Sequence, residues 1–403
     1  MKKFLSFALV AAMLLSFAGC DKKAEVQPSQ NPAETAVVSD APTAAPTAEP
    51  SAEPAEDVLP ALKDMFAEHG MLCGTCISGN MLKNKKPTNL ALSQFSSITC
   101  ENAMKPDAIL NKDKSIAAGD LVVEFGPEAI AIMDWAKENG LKMRGHTIVW
   151  HSQTPDWIFY ENFDNKAELV DRDTMLARLD SFVSQIFTKL DELGYIDMFY
   201  AYDVANECWE DDGSMRKSLW LQVIGEDYLV KAFEIADKYA PDYIDLYYND
   251  YNEQFKTETF YNFLQTLKDA DGNYLIDGVG FQAHLYTEDS LEDYFRHMDR
   301  IAELGLKIQL TELDVCLGHY QKPAKNDDEH QKIQGRFYYD LINGILERVD
   351  NGTVKSDALT IWGFSDGLSW RKEYNPLIFT MKYDPKYSFY GAMQIKDKAG
   401  FDE

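Results

Sequence analysis

Short apolar runs alternate along residues 60–398 with longer segments whose apolar side chains recur every three or four positions. The short runs are continuous rather than alternating, which is typical of strands that are covered on both faces. Eight of these runs are predicted to be strands. They lie near residues 71–77, 95–101, 142–150, 196–205, 244–249, 277–283, 307–313 and 358–364.

Amphipathic helices are predicted between the strands, because apolar residues there repeat with the helical period. Gly140 is placed to end the helix that begins near Ala129. The last helix is predicted from residue 387 to about residue 398. The clearest apolar stripes are Ala129, Ile132, Met133 and Ala136; Leu179, Phe182, Val183, Ile186 and Leu190; and Ile333, Phe337, Leu341 and Ile345.

Eight strands alternating with helices over about 340 residues predict a (β/α)8 TIM barrel, an α/β fold whose parallel strands close on themselves. The alternative is a doubly wound open sheet, which would be expected to carry a glycine-rich nucleotide turn after its first strand. Gly70, Gly74 and Gly79 lack that spacing. A composition of 45% hydrophobic and 12% aromatic residues is sufficient for the large core of a barrel.

The first twenty residues are predicted to be an export signal. Two lysines form a basic start, and residues 4–18 form an apolar stretch too short to span a bilayer. The segment ends in the sequence FAGC, which resembles a bacterial lipoprotein signal in which the cysteine, here Cys20, is lipidated. Phe17 replaces the usual Leu, and an ordinary secretory signal is the alternative. We expect an exported protein, anchored at the cell surface through Cys20 or secreted.

Residues 21–57 are rich in Ala, Pro, Glu, Thr and Ser and have almost no large apolar side chains. Such a segment cannot bury a core, so a disordered linker is predicted before a barrel domain that spans residues 58–403. The formal net charge of −27 argues against nucleic acid as a partner, because nucleic-acid binding depends on cation-rich surfaces. We expect a monomer that contacts the membrane only through the lipid on Cys20.

The cysteines and histidines do not form a recognisable metal motif. Cys73 and Cys76 have the spacing of a redox or zinc half-site, but no second such pair accompanies them. A free Cys in a strand-like run behaves as a small buried hydrophobe. His146 and His151 lack the arrangement of a catalytic zinc site, so neither a catalytic metal nor a cofactor is expected, and a structural cation on an acidic loop is the alternative. The cysteines after Cys20 are Cys73, Cys76, Cys100, Cys208 and Cys316.

Polar and aromatic residues cluster where the strand candidates end. In a parallel barrel, the carboxyl ends of the strands build the active site. A single polar cluster is readily explained as a capped loop, but seven clusters at equivalent places indicate one shared site. The clusters occupy residues 99–105, 145–151, 206–207, 249–252, 282–284, 312–314 and 362–366.

Two glutamates carry the chemistry that this arrangement predicts. Glu207 and Glu312 each follow an apolar run, so their carboxylates are expected to face each other across the barrel mouth. Enzymes that cleave glycosidic bonds typically use two facing carboxyl groups, one protonated and one ionised.

Six segments together resemble glycoside hydrolase family 10, the family of retaining endo-β-1,4-xylanases. The resemblance extends over residues 59–395 and implies a (β/α)8 barrel that acts on xylan or xylo-oligosaccharides. One departure is visible, since Pro106 follows Lys105 where the family usually has Trp. The sugar affinity of the second subsite is therefore an open question. The six segments are residues 101–105, 145–151, 203–207, 282–284, 311–314 and 362–370.

The resemblance implies a role for each matching residue. Glu207 resembles the acid/base and Glu312 the nucleophile, while His284 and Asp314 resemble a pair that orients the nucleophile. Trp157, Trp209 and Tyr251 lie just beyond the motifs and either line further subsites or pack a loop. The predicted substrate contacts are Glu101, Asn102, Lys105, His146, Trp150, Asn206, Asn249, Gln282, His284, Trp362 and Trp370.

The retaining mechanism that the resemblance implies places the two carboxyl groups about 5–5.5 Å apart. Ionised Glu312 is expected to disfavour charge on Glu207, so that Glu207 can donate a proton near neutral pH. Two other functions stay open. The same barrel can act on a β-glucan or mixed-linkage glucan, because xylose differs from glucose by a missing hydroxymethyl group. The other alternative is a surface glycan-binding protein without catalysis, which the presence of both glutamates disfavours.

Overall fold

Eight parallel strands close into a barrel in the computed structural model, which describes residues 59–401. The predicted signal at residues 1–20, with Cys20, and the linker at residues 21–57 lie outside the described residues, and the domain boundaries stay predictions. The barrel strands are β1 (Leu72–Ile77), β2 (Ser97–Cys100), β3 (Lys142–Trp150), β4 (Phe199–Asn206), β5 (Asp245–Asp250), β6 (Gly278–Phe281), β8 (Lys307–Cys316) and β11 (Ala358–Ile361).

The barrel closes because its last strand pairs on both sides. The order around the ring is β11-β1-β2-β3-β4-β5-β6-β8, and β8 returns to pair with β11. Leu359 lies opposite Leu310 in this closing ladder, and Leu72 lies opposite Ala358 on the other side of β11. The (β/α)8 prediction is therefore confirmed, and the doubly wound open sheet is excluded.

Helices follow the strands and cover the outside of the barrel. The three predicted apolar stripes lie in α5 (Pro127–Glu138), α6 (Arg172–Glu192) and α11 (Asp328–Asp350), and Ala129, Ile132 and Met133 in the first of them are fully buried. The helices are α1 (Leu62–Glu68), α2 (Lys85–Gln94), α3 (Pro106–Ile109), α4 (Lys112–Ala118), α5 (Pro127–Glu138), α6 (Arg172–Glu192), α7 (Leu219–Ile224), α8 (Tyr228–Tyr239), α9 (Thr257–Leu264), α10 (Leu291–Ala302), α11 (Asp328–Asp350) and α12 (Tyr387–Ala392).

Several predicted elements are shorter than expected, including the strands near 95–101 and 358–364, which are observed as Ser97–Cys100 and Ala358–Ile361. The strand predicted at 277–283 ends at Phe281, because Ala283 adopts a left-handed backbone with φ of 59° and the chain resumes as β7 (His284–Tyr286). This break brings His284 into register with Asp314 on β8. The last helix ends at Ala392 rather than near residue 398, since Gln394 is also left-handed, with φ of 59°.

A small hairpin follows β8 and was not predicted. Its strands are β9 (Gly318–His319) and β10 (Lys322–Pro323), which pair antiparallel. The two-residue loop between them carries Tyr320, whose side chain is 62% exposed. Gly318 has φ of 93°, a conformation in which glycine is favoured, and a Cβ there would clash with the backbone of β10. The hairpin therefore folds tightly back at the barrel mouth.

The cysteines after Cys20 are buried and free within the described chain, as expected for Cys73, Cys100 and Cys316 in their strands. Burial raises the pKa of the Cys100 thiol to about 12, which keeps it protonated. Residues 59–401 include no group of three or more His, Cys, Asp or Glu side chains placed to hold a metal ion. Over the same residues, no helix has the length and apolar character that a membrane span requires.

Candidate active site

A cavity of about 1150 Å³ opens at the carboxyl ends of the barrel strands. Both glutamates and most of the predicted substrate contacts line it. Asn249 and Asp314 do not belong to the lining, and both side chains are fully buried. The predicted residues in the lining are Glu101, Asn102, Lys105, His146, Trp150, Asn206, Glu207, Gln282, His284, Glu312, Trp362 and Trp370.

Glu207 follows β4 directly and is half-buried. Its φ of 54° is left-handed, and its backbone N–H donates to the carbonyl of Asn249 at 2.9 Å. The Trp150 indole donates to Glu207 Oε2 at 3.0 Å, and Gln282 Nε2 donates to Oε1 at 3.1 Å. A left-handed backbone at a non-glycine residue is strained, and here it turns the carboxylate toward the cavity.

Glu312 lies within β8, with only 6% of the residue exposed. Asn249 Nδ2 donates to its Oε1 at 2.9 Å, and His284 Nε2 lies 3.3 Å from Oε2. Burial alone would raise the pKa of this carboxyl. The hydrogen bond from His284 and the electrostatic interactions with His146, His284 and Lys105 outweigh burial and hold the pKa at about 2. Glu312 is therefore ionised and suited to act as a nucleophile.

Three amide side chains connect the two carboxylates. Asn249 Nδ2 also donates to Asn206 Oδ1 at 2.9 Å, and Gln282 Nε2 donates to the same oxygen at 3.1 Å. Thr311 Oγ1 donates to Asn249 Oδ1 at 2.6 Å, which fixes the orientation of that amide. Asn249 thus holds Glu312 without lining the cavity itself, and its direct contact with substrate stays a prediction.

Asp314 organises the side chains next to Glu312. His284 Nδ1 lies 3.1 Å from Asp314 Oδ2, although its angle falls outside good hydrogen-bond geometry. The Trp370 indole donates to Oδ2 at 3.2 Å, and Arg371 donates to Oδ1 at 2.6 Å. Burial lowers the pKa of His284, but the adjacent Asp314 and Glu312 carboxylates outweigh it and raise the pKa to about 10. A protonated His284 between two carboxylates explains why Glu312 stays ionised.

Lys105, which follows β2, also lines the cavity and is 7% exposed. Its amine donates to Asn102 Oδ1 at 3.0 Å and to Gln153 Oε1 at 2.9 Å, and it lies 4.8 Å from the centre of the Trp150 ring. Burial lowers the pKa of this amine, while Glu312 and other carboxylates oppose that change. Pro106 begins α3 and leaves Lys105 extended, with ψ of 156°, as the residue before a proline is expected to be.

A buried ion pair beneath the site escaped the sequence analysis. Arg144 donates to both carboxylate oxygens of Asp203, and His146 Nδ1 lies 2.8 Å from Asp203 Oδ2. Arg144 and Asp203 have at most 2% exposure. A charged residue in each of two apolar strands was the available signal, because buried charges require partners. Asp203 therefore positions the His146 ring that faces the cavity.

Arg216 was also missed, and it joins the loop after β4 to the loop after β5. Its Nε donates to the backbone carbonyl of Glu207 at 2.8 Å, and another guanidinium nitrogen donates to the Tyr251 hydroxyl at 2.9 Å. Tyr251 lines the cavity, whereas Trp157 and Trp209 do not, so these tryptophans pack loops instead. Nothing in the local sequence distinguished the three aromatics.

Gly280→Ala should reduce activity, because Gly280 on β6 leaves room for the amide that holds the nucleophile. A Cβ at this position would overlap Asn249 Oδ1 and lie 2.9 Å from Thr311 Cγ2. Moving Asn249 would misplace Glu312, so we expect kcat to fall about 10- to 100-fold. Hydrolysis of an aryl xylobioside, followed by release of the phenol, measures the effect.

Gly126→Ala is the matched control, since a Cβ on Gly126 would meet no atom within 4 Å. Its kcat should stay close to that of the parent protein. Equal kcat values for the two variants would show that Asn249 does not position the nucleophile.

Asp314→Asn should change how stability depends on pH. The folded-state pKa of His284 is raised to about 10 from an ordinary value of about 6.5. Its protonation therefore stabilises the fold fully below pH about 6.5, and this contribution is lost as the pH rises toward 10. Removing the Asp314 charge should lower that pKa and move the loss to lower pH. Urea unfolding between pH 6 and 10 would measure the shift.

Asp350→Asn provides the control for this prediction. Asp350 pairs with His69 at 2.8 Å on the protein surface, and neither residue lines the cavity. The stability of Asp350→Asn should depend on pH as that of the parent protein does, because exposed ion pairs contribute little to folding stability. An Asp314→Asn curve that also matches the parent would contradict the assigned interaction.

A closed parallel barrel with two carboxylates joined through amides at its mouth defines the chain as a glycoside hydrolase. The model of the family described as Glycosyl hydrolase family 10 matches residues 61–395. The chain belongs to this family, which confirms the resemblance seen in its motifs.

Curated relatives agree over most of the described chain. Endo-1,4-beta-xylanase B of Butyrivibrio fibrisolvens is 33% identical over 334 residues, which cover 80% of this chain and 51% of that protein. A putative endo-1,4-beta-xylanase of Caldicellulosiruptor saccharolyticus is 35% identical and covers 74% of this chain and 97% of that protein. Exoglucanase XynX of Acetivibrio thermocellus is 30% identical and covers 82% of this chain. The chain spans about half the length of the Butyrivibrio protein and 29% of XynX.

A solved structure shows the same fold. It contains the CBM22-1 and GH10 modules of the N-terminal endo-1,4-beta-D-xylanase 10B of Clostridium thermocellum, complexed with xylohexaose. The TM-score is 0.76 at 31% sequence identity, and the match covers 83% of this chain and 68% of that chain. The barrel and its closure are therefore shared with an enzyme of this family.

Proposed function

We propose that this protein is an endo-1,4-β-xylanase that cleaves internal bonds of xylan with retention of configuration. The observation that carries the proposal is the pair Glu207 and Glu312, which line one cavity and are connected by Asn206, Gln282 and Asn249. Xylanase relatives that match over most of the barrel support this substrate.

The first half-reaction forms a covalent intermediate. The ionised Glu312 attacks the anomeric carbon, and the bond from that carbon to the leaving oxygen breaks. Glu207 acts as the general acid and gives a proton to the departing oxygen, which leaves as a sugar hydroxyl. Asn249 and His284 hold the attacking carboxylate in place and favour its ionised form.

The second half-reaction releases the sugar. Glu207, now ionised, accepts a proton from water while the water oxygen attacks the anomeric carbon. The ester bond to Glu312 breaks, and both carboxyl groups return to their starting states. Two inversions at one carbon give net retention, and the expected separation of about 5–5.5 Å between the carboxyl groups suits this route.

Xylan hydrolysis followed by reducing-end release tests the activity, and proton NMR of the first product tests the mechanism. We expect the β-anomer to appear first. Initial release of the α-anomer would overturn the two-step route, while an absence of any new reducing ends would overturn the assignment to xylan.

A glucan substrate is the second candidate, and the relative named Exoglucanase XynX is the observation that favours it. The difference between the substrates is steric, because glucose carries a hydroxymethyl group that xylose lacks. The walls at Trp362, Trp370 and Lys105 decide whether that group fits. Higher turnover of an aryl cellobioside than of an aryl xylobioside would favour the glucan.

A glycan-binding protein without catalysis is the third possibility that the sequence leaves open. The ionised, well-partnered Glu312 argues against it, since a carboxylate held at low pKa beside a second carboxylate is unusual in a passive binding groove. Xylo-oligosaccharide affinity with no turnover in the parent protein would favour this possibility.

We also propose that the protein acts as an exported monomer that is anchored by a lipid on Cys20. The basic start, the short apolar stretch and the FAGC sequence support this localisation. Expression in a bacterial host followed by detergent-phase partitioning tests the anchor. The parent protein should enter the detergent phase and Cys20→Ala should not, whereas equal partitioning would overturn lipidation.

A further inference from the structure

Strand β5 carries two polar side chains on the face opposite to Asn249. Successive side chains of a strand point to opposite faces, so Tyr248 and Asp250 face the helix layer while Asn249 faces the barrel interior. Tyr248 packs against Phe263 of α9, with the ring centres 5.0 Å apart. Both Tyr248 and Asp250 are fully buried, although the mechanism above uses neither of them. A buried carboxylate requires partners, and these show what the side chain does.

Three donors satisfy the Asp250 carboxylate. Lys256 Nζ donates to Oδ1 at 2.9 Å, the Tyr251 backbone N–H donates to the same oxygen at 2.8 Å, and the Tyr248 hydroxyl donates to Oδ2 at 2.5 Å. Burial raises the pKa of the Asp250 carboxyl, while Lys256 and the Tyr248 hydroxyl oppose that rise. The Lys256 side chain is 1% exposed. Asp250 and Lys256 therefore form a buried ion pair in which both carboxylate oxygens are hydrogen-bonded.

The same hydroxyl and the same amine also hold the chain that follows Glu207. The backbone N–H of Cys208 donates to the Tyr248 hydroxyl at 3.1 Å. Lys256 Nζ donates to the backbone carbonyl of Trp209 at 3.2 Å. Two consecutive residues after the proton donor are therefore fixed by groups that the buried carboxylate orients.

The backbone of Glu207 needs this support. Its φ of 54° is strained, and such a conformation persists only where the surrounding contacts determine it strongly. Arg216 holds the carbonyl of Glu207 at 2.8 Å, and the Tyr248 hydroxyl holds the next N–H. The direction of the side chain follows these peptides. Releasing them would turn the carboxyl away from Trp150 and Gln282, its two hydrogen-bond donors.

Folding stability by itself does not explain a buried ion pair at this place. The desolvation of two charges offsets much of their attraction, and well-packed apolar residues often replace such pairs without loss of stability. A fully hydrogen-bonded buried network does impose one orientation on its members. For Asp250 and Lys256, that orientation is passed to the backbone of residues 208 and 209.

We propose that Asp250, Lys256 and Tyr248 are positioning residues that fix Glu207 for proton transfer. This inference rests on the proposed xylanase function and deepens it. Strand β5 then serves both carboxylates, the nucleophile from its inner face and the proton donor from its outer face. A displaced Glu207 slows the steps in which it moves a proton and leaves the other steps unchanged.

The test uses Tyr248→Phe and the double variant Asp250→Asn/Lys256→Met, which removes both charges without leaving either unpaired. We expect kcat/KM for xylohexaose to fall about 5- to 30-fold, part of the usual contribution of a general acid. An acidic phenol departs without a proton, and kcat/KM includes only the steps up to that departure. The kcat/KM for such an aryl xylobioside should therefore change about twofold at most. Equal losses on both substrates, or no loss on xylohexaose, would overturn the proposal.

Tyr202→Phe is the matched control for the loss of one hydroxyl. Tyr202 lies on β4 and is fully buried, and its hydroxyl has no hydrogen-bond partner within the described chain. Neither kcat/KM should change in this variant. Tyr248→Phe also keeps the proposal testable if the double variant does not fold.

Asp366→Asn/Lys386→Met is the matched control for the loss of a buried ion pair. The two side chains are 2.9 Å apart and nearly as buried as the first pair, and Lys386 donates to the carbonyls of Asn375 and Leu377. Any loss of activity here should be equal on the two substrates, as expected for a purely structural effect. A preferential loss on xylohexaose in this control would contradict the role assigned to Asp250.

Hydrogen exchange tests the same contacts without catalysis. In Tyr248→Phe the Cys208 amide loses its acceptor, so peptides that cover residues 207–209 should exchange faster than in the parent protein or in Tyr202→Phe. Unchanged exchange would overturn the positioning role. If the parent protein cleaves neither substrate, the proposed function fails, and the exchange result alone decides whether these residues hold the segment.

Discussion

Glu312→Gln should lower xylan hydrolysis by about 10⁴-fold or more, because an amide oxygen cannot form the glycosyl ester. The substitution keeps the shape of the side chain, and its Oε1 can still accept from Asn249. Binding of xylo-oligosaccharides should therefore survive. Reducing-end assays would measure the loss of turnover, and calorimetric titration would measure the retained affinity.

Glu138→Gln is the control for this experiment, since Glu138 is exposed at the end of α5 and lies outside the cavity lining. It should keep the parent activity, because surface substitutions of this kind rarely have large effects. A Glu312→Gln protein with a tenth or more of the parent turnover would exclude Glu312 as the nucleophile.

Glu207→Ala should separate substrates according to how much proton donation their leaving groups require. For xylan we expect a loss of about 10²- to 10⁴-fold, the usual contribution of general acid–base catalysis. An aryl xylobioside with an acidic phenol leaves without a proton, so the first half-reaction should survive while release of the sugar becomes slow. Stopped-flow measurement should therefore show a burst of phenol followed by a slow steady state.

Added azide provides a second readout for Glu207→Ala. This small anion fits the space left by the carboxylate and attacks the intermediate without needing a general base, so it should restore phenol release. Glu226→Ala, at an exposed position between α7 and α8, should show neither the burst nor the azide effect. A uniform loss on both substrates without a burst would remove Glu207 from the acid/base role.

The barrel was readable from the sequence because fully covered strands are continuous apolar runs and covering helices carry apolar stripes. Each of the eight strand predictions overlaps an observed barrel strand. The break after Phe281 was not readable, since it depends on the left-handed backbone of Ala283 and on pairing between His284 and Asp314. Such pairing is a property of two distant segments, and no local pattern encodes it.

Some residues of the site could be predicted from the sequence, and others could be found only in the structure. Glu207 and Glu312 were identified from the motifs around them, whereas the role of Asn249 as a support for the nucleophile required coordinates. Arg216 and Arg371 were missed because their partners are distant in sequence, Tyr251 after β5 for Arg216 and Asp314 within β8 for Arg371. Tyr251, Trp157 and Trp209 looked equivalent in sequence, yet only Tyr251 reaches the described cavity.

By itself, the sequence determined the closed barrel, the residue types at its mouth and the pair of carboxylates predicted to be catalytic, because periodicity and local motifs express these directly. Tertiary structure decided which amides connect Glu207 to Glu312, which charges hold His284 and Glu312 ionised, and which exposed rings face the groove. The physical reason is that hydrogen bonding, desolvation and electrostatic interaction depend on distances between residues that are far apart in the chain.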